Sequence, residues 1–363
     1  MNHLEACVAL NMIPQMGPVR LRRLLDAFGS PEKTLLTRTD QLAAVEGIPR
    51  PLAENISRWE EFADPAAELK KASDLGARII TAADEEYPPP LREIHDPPIV
   101  LYVLGRITDR DRNAVAVVGS RKASHYATEC AKKLSFQMAY AGLTVVSGLA
   151  RGIDTAAHQG ALAAKGRTIA VIGAGLAHLY PPENAQLAER IAENGAVISE
   201  FPFDTKPDRQ TFPIRNRIVT GMSFGVLVVE AGANSGALIS ANMAAEQGRT
   251  LYAVPGRIDS PSALGSNRLI QQGAKLVTGA DDILDDLPLV FRDRPELPAV
   301  AAPLDLTAEQ AKILAAIGDE ETPFDSVIAT SGLTAAVASS TLLALEIRRL
   351  VKQLPGKRFV KLV

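Results

Sequence analysis

Residues 114–151 read AVAVVGSRKASHYATECAKKLSFQMAYAGLTVVSGLAR, and the order of residue types in this stretch decides the fold. Ala114–Val118 is short, β-branched and apolar without alternation, the pattern of a strand buried on both faces. Gly119-Ser120-Arg121 breaks the run, a helix is expected over 127–141, and Thr144–Ser147 repeats the first pattern. Strand, glycine turn, helix and strand make one unit of a parallel sheet.

The unit recurs downstream. Strands are expected at 168–172, 196–199, 225–229, 250–254 and 275–277, with helices over 153–164, 185–193 and 237–247 between most of them. From Asn113 to about Asp286 the fold class is therefore α/β, a Rossmann-like doubly wound, mostly parallel sheet.

Working outward, residues 1–68 read as short helices. Leu21, Leu24, Leu25 and Phe28 recur at helical spacing after a Gly17-Pro18 turn, and Gly29-Ser30-Pro31 ends that helix and begins another. A second turn follows at Val45-Glu46-Gly47-Ile48-Pro49. Such pairs are SAM-like or helix-hairpin-helix-like, and turn amides of the latter can meet DNA phosphates; a small helical packing domain is the alternative, and the favoured one. Between them and the sheet, prolines at 88, 89, 90, 97 and 98 exclude regular structure, while 99–104 reads as a short apolar strand extending the sheet at its edge. The extended sheet domain is thus placed at 69–286.

Residues 287–304 fall in a Pro-rich, acidic stretch and read as a linker. In 305–363, helices are expected at 306–317, 324–329 and 334–349, with Ser331-Gly332-Leu333 as the turn and 354–360 as a two-strand wing. Helix-turn-helix plus wing is a winged-helix signature. Arg348, Arg349, Lys352, Lys357, Arg358 and Lys361 make its end basic enough to touch DNA. Partner binding remains an equal alternative.

Composition limits the function classes. The 363 residues are 47% hydrophobic and 22% charged, globular values with ample core material. With 39 Lys+Arg against 42 Asp+Glu the net charge is -3, which excludes a chain-wide basic footprint but not a local basic groove. The two cysteines, Cys7 and Cys130, exclude a disulfide framework and a thiolate zinc site. No basic-then-apolar leader opens the chain, and no apolar stretch of roughly 18 residues occurs, so a soluble cytoplasmic protein is expected, with no membrane partner.

In an open parallel sheet, ligands bind beyond the carboxyl ends of the strands. Those ends carry Gly119, Ser120 and Arg121; Ser147, Gly148 and Arg151; Gly173; and Ser235 and Gly236. Small residues let backbone amides approach a phosphate, helix N-termini add partial positive charge, and Arg121 and Arg151 add full charges in fork geometry. One such loop is equally a tight turn; four converging loops point to phosphate. The segment Arg209-Gln210-Thr211-Phe212-Pro213-Ile214-Arg215-Asn216-Arg217 sets three arginines around one aromatic ring. Cations for phosphates with an aromatic face for a base are the means of single-strand binding without sequence preference. The alternatives are that Phe212 is core and that one arginine of the pair 215 and 217 makes a structural salt bridge.

Enzyme templates fail. There is no GxxxxGK[ST], no GxGxxG after the first strand, no GxSxG around Ser120 or Ser147, and no HxxxH or HxH pair among the five histidines. His158 reads as structural, and neither metal nor cofactor is expected.

Seven segments in order, VAVVGSRKASHYA, GLTVVSGLARGIDTAAHQGAL, GRTIAVIGAGLAHLYPPEN, GAVISEFPF, FPIRNRIVTG, VLVVEAGANSGALISANMAAEQGR and AVPGRIDSPSALGSNRLIQQGA, resemble the DNA-processing DprA (Smf) family from about Tyr87 to Leu284. The helical start and winged-helix end agree with that family's three-part layout. The resemblance implies single-stranded DNA binding, protection of that DNA in natural transformation, loading of the RecA recombinase, dimers through the Rossmann-like domain, and no enzymatic activity. It implies that Gly119, Ser120 and Arg121 form a phosphate-binding turn and that Arg209, Phe212, Arg215 and Arg217 line the same pocket. Ala127 departs where glycine is frequent, Ser240 where threonine is, and Arg209 where lysine is; none removes a charge. Two other functions compete. The loop EAGANSGALISA is similar to that of LOG-type nucleoside-monophosphate phosphoribohydrolases, but Gly236-Ala237-Leu238-Ile239 carries no acid where their catalytic glutamate falls. A nucleotide-sensing domain acting through the winged helix is the other.

Overall fold

β3 (Ala114–Val118) lies in the interior of a nine-stranded sheet, where both its apolar faces are covered. In the computed structural model, which describes residues 1–286, 306–318, 321–347, 350–354 and 356–361, the other strands of this sheet are β1 (Ala77–Thr81), β2 (Val100–Gly105), β4 (Thr144–Ser147), β5 (Thr168–Val171), β6 (Ala196–Ser199), β7 (Gly225–Val228), β8 (Thr250–Ala253) and β9 (Lys275–Leu276). Their spatial order is β1-β2-β6-β5-β4-β3-β7-β8-β9, with β3 to β9 all parallel and β1 and β2 antiparallel additions. Within it, β5-β4-β3-β7-β8-β9 is the doubly wound order, and the winding reverses between β3 and β7.

Alternate residues of β3 serve different cores. Val115 and Val117 pack with Ala131, Leu134 and Met138 of the helix His125–Tyr140. Ala114, Ala116 and Val118 pack with Ile218, Val219 and Met222 at the helix Thr211–Gly221 and with Ala241 and Ala244 of the helix Ala237–Glu246. That the strand is apolar at every position follows from this two-sided cover.

Three expectations are corrected. No element was expected around Phe212, yet Thr211–Gly221 is helical, and Pro213 is tolerated because it lies in the first turn, where an N–H has no partner inside the helix. Leu264–Gln271 is a further, unexpected helix. The strand expected at 99–104 is not outermost, since β1 pairs beyond it with Ile79 opposite Tyr102.

The N-terminal residues form the helices His3–Met12, Pro18–Phe28, Pro31–Leu36, Thr39–Ala43, Arg50–Ser57 and Pro65–Asp74. Their core is continuous with the sheet: Leu10, Leu24, Leu52 and Ile56 belong to the same cluster as Tyr102, Ala170 and Val197. Glu68 is buried and accepts hydrogen bonds from the Tyr102 hydroxyl at 2.9 Å and the Phe203 amide at 2.6 Å. The expected division between residues 68 and 69 therefore falls inside one helix, at a residue fastened to the sheet.

The chain divides into two compact units, Met1–Leu297 and Pro298–Val363. The second unit has helices Ala308–Ala316, Phe324–Ser331 and Ala335–Ile347, and a small sheet of β10 (Thr322–Pro323), β11 (Val351–Leu354) and β12 (Arg358–Lys361) in the order β10-β12-β11. Its wing begins at Val351 rather than Leu354. Ile313, Val327, Leu342, Leu345 and Phe359 form its core. The linker read at 287–304, with Arg348 and Arg349, lies outside the described residues. Among the described residues no single helix is long and apolar enough to cross a membrane.

Candidate nucleic-acid interface

Where the winding reverses, the loops after β3 and β7 diverge and leave a crevice, here a cavity of about 550 Å³. Gly119, Ser120, Arg121 and Lys122 line it from the β3 loop, Ala150 and Asp154 from beyond β4, and Ser235 and Gly236 from the β7 loop. Arg209, Phe212, Arg215 and Asn216 close it from the fourth side. The helix Ala237–Glu246 starts at this wall with Gly236 as its N-cap and no side-chain cap, so its positive end meets the cavity.

Arg215 sets the electrostatics. It is only 4% exposed, its Nε is buried without a hydrogen-bond partner, and no carboxylate among the described residues pairs with it. Burial pulls the guanidinium down to about 10, the attraction of Asp154 opposing and the repulsion of Arg121 adding to the shift. Asp154 does not neutralise it by contact, because its carboxylate accepts from the amides of Gly148 at 3.1 Å and Ala150 at 3.3 Å. Burial also holds the Asp154 carboxyl above the usual range, although Arg215 pulls it down. A buried fork of donors without an acceptor, at the wall of an open cavity, is suited to an anion.

Phe212 lies above Gly173, close enough that a β carbon there would meet its Cδ1 at 2.9 Å. The preceding Thr211 hydroxyl donates to the Gly173 carbonyl and fixes the ring's position. The Arg121 guanidinium stacks on this ring at 4.8 Å from its centroid. The Tyr180 ring stands 5.9 Å from Phe212, tilted by 46°. Arg151 lies over Tyr180 at 5.8 Å and is ion-paired to Glu183. Phe212 is thus a half-buried wall of the cavity, not a core residue.

The remaining candidates fall out differently. Ser147 is fully buried, and its hydroxyl donates to the Val117 carbonyl at 2.6 Å, so it offers nothing to a ligand. Gly148 acts beneath Arg215, which occupies the space a side chain would need. Arg217 is not in the cavity. It is 4% exposed and ion-paired to Glu200 at 2.5 Å and Asp96 at 3.0 Å, the structural alternative weighed for this pair of arginines. His158 is fully buried, with Nδ1 at 2.7 Å from the Thr168 hydroxyl. Lys122 and Tyr180 were not among the sequence candidates. Lys122 directly follows Arg121, and Tyr180 sits in the HLYPPEN run, so aromatic and basic residues one step further along each loop were the available signal.

Known proteins resemble the chain along most of its length. A family model described as DNA recombination-mediator protein A matches residues 78–288, and one described as DprA winged helix domain matches 297–357. Protein Smf of Synechocystis sp. is 36% identical, covering 97% of each chain. The DNA processing protein DprA of Bacillus subtilis is 44% identical over 59% of this chain and 73% of its own. Among solved structures, DNA processing protein A (DprA) of Streptococcus pneumoniae matches with a TM-score of 0.69 and 34% identity, covering 79% of this chain and 99% of that one. DNA processing protein A of Helicobacter pylori, whose structure is described for its single-stranded DNA binding mode, matches at TM-score 0.52 and 28% identity over 60% of this chain and 97% of that one.

Proposed function

The chain belongs to the DNA recombination-mediator protein A family, and from that premise we propose that it binds single-stranded DNA in the cavity between β3 and β7 and delivers it to a recombinase. The observation that carries the proposal is the buried, unpaired guanidinium of Arg215 at the cavity wall. A backbone phosphate supplies the acceptor it lacks, with Arg121, Lys122 and the amide end of the helix Ala237–Glu246 around the same space. A base then lies against Phe212. Stacking accepts any base, so recognition is of the unpaired strand rather than of sequence.

The action is that of a scaffold, with no bond made or broken. The acid–base groups that feel the Arg215 charge, Asp154 and His158, are buried and already engaged by backbone amides and by Thr168. Loading of RecA onto the held strand during natural transformation, and protection of that strand, belong to the same proposal and are supported by the family's description as a recombination mediator. So does a homodimer through the Rossmann-like unit. Two modest sites on one strand bind jointly through effective concentration.

The test is a titration of fluorescent oligo-dT and of duplex DNA of equal length across a salt series. A strong preference for the single strand with a steep loss of affinity as salt rises is expected. Equal or tighter duplex binding overturns the proposal.

A further inference from the structure

The structure assigns to Tyr180 a second nucleobase seat beside Phe212, with Arg151 as its phosphate partner, held in reserve by Glu183; this inference rests on the single-strand reading above. Tyr180 is not part of the cavity wall. It stands outside and is 37% exposed.

Four side chains are linked by successive contacts, Arg121 to Phe212 to Tyr180 to Arg151. Guanidinium to ring is 4.8 Å at one end and 5.8 Å at the other, and the two rings are 5.9 Å apart. A cation at each end of two aromatic faces repeats the alternation of phosphates and bases along a strand. The ring separation of 5.9 Å exceeds the roughly 3.4 Å rise per nucleotide of a stacked strand. The tilt of 46° also prevents two bases lying on these rings from stacking on each other. A strand that uses both seats is therefore stretched and unstacked, which a duplex cannot be.

The second seat is built rather than incidental. Asn184, four residues beyond Tyr180, is buried, and its Nδ2 donates to the Leu149 carbonyl and the Thr155 hydroxyl, each at 2.8 Å. That clamp fastens the Tyr180 segment to the loop that carries Arg151. Glu183 lies inside the clamped segment and takes the Arg151 Nε hydrogen bond. Both members of this pair are about half exposed, at 53% and 52%. Exposed pairs of this kind are weak and exchangeable, and a phosphate competes directly with the Glu183 carboxylate.

The experiment measures oligo-dT affinity by fluorescence anisotropy across a salt series, with the full chain and four variants. Tyr180→Ala is expected to bind about 5- to 100-fold more weakly, the range for removal of one base–aromatic stack, and Tyr180→Phe to bind as the wild type does. Glu183→Gln is expected to bind more tightly, with a logarithmic salt slope steeper by about 0.7, the increment for one further phosphate neutralised on a single strand. Phe212→Ala is the reference. If Phe212→Ala loses affinity while Tyr180→Ala and Glu183→Gln match the wild type, the second seat is overturned and the single-strand reading stands. If Phe212→Ala also binds as the wild type does, the reading itself fails and the second seat falls with it.

Discussion

The Arg215 guanidinium fills the space that a side chain at position 148 would need: a β carbon on Gly148 would lie 1.4 Å from Arg215 Nη1. The glycine therefore places the charge, although it touches no ligand. Because the clash is with the end of a flexible side chain, Gly148→Ala is expected to fold with its thermal midpoint little changed. The displaced guanidinium no longer faces the cavity, and affinity for oligo-dT should fall about tenfold or more, the worth of a charged hydrogen bond. Thermal denaturation beside an anisotropy titration checks both halves; unchanged affinity refutes this role for Gly148.

Arg217→Ala should behave in the opposite way. It leaves the buried Glu200 carboxylate and Asp96 without their cation. Removing one partner of a buried pair costs about 3–5 kcal/mol. The expected result is a large drop in denaturation midpoint, with DNA affinity retained by the fraction that stays folded. A normal midpoint with abolished DNA binding would instead return Arg217 to the interface.

These two arginines show what the sequence discloses and what it conceals. The strands were legible because runs such as AVAVV are apolar at every position, which only burial on both faces explains. The glycine-rich strand ends were legible for the same topological reason. Arg215 and Arg217 were not separable while their segment had no assigned element. Once the segment is helical, positions two apart diverge by about 200° around the axis. One side chain then faces the cavity and the other Glu200. Tyr180 was hidden for another reason: its place depends on the Asn184 bond to Leu149, a partner 35 residues distant in sequence. The net charge of -3 likewise concealed a cavity lined by Arg121, Lys122, Arg209 and Arg215, because it sums over the whole chain.

Stability should fall in acid, and His158 supplies a definite part of the slope. Burial holds its ring neutral down to about pH 3, with the Arg215 charge adding to the effect, whereas an unfolded histidine takes up its proton near pH ~6.5. The unfolded chain therefore binds one proton more between these values, and stability is lost as the pH falls through them, on the order of 5 kcal/mol in all. Asp154 and Glu200 act in the opposite sense, since burial raises their carboxyls and the folded chain keeps those protons longer as the pH rises. Comparing the wild type with His158→Asn isolates the histidine. Between pH 7 and pH 4 the variant's midpoint should fall less steeply, by about one proton's worth; parallel curves would show that His158 is already charged in the fold.

The central claim, that the unpaired Arg215 guanidinium is a seat for a strand phosphate, is tested most directly by the salt dependence of oligo-dT binding to Arg215→Met, which keeps the length of the side chain and removes its charge. The account predicts an affinity at least about tenfold weaker than wild type and a logarithmic salt slope shallower by about 0.7, as when one fewer phosphate of a single strand is neutralised. An unchanged affinity with an unchanged slope would contradict it.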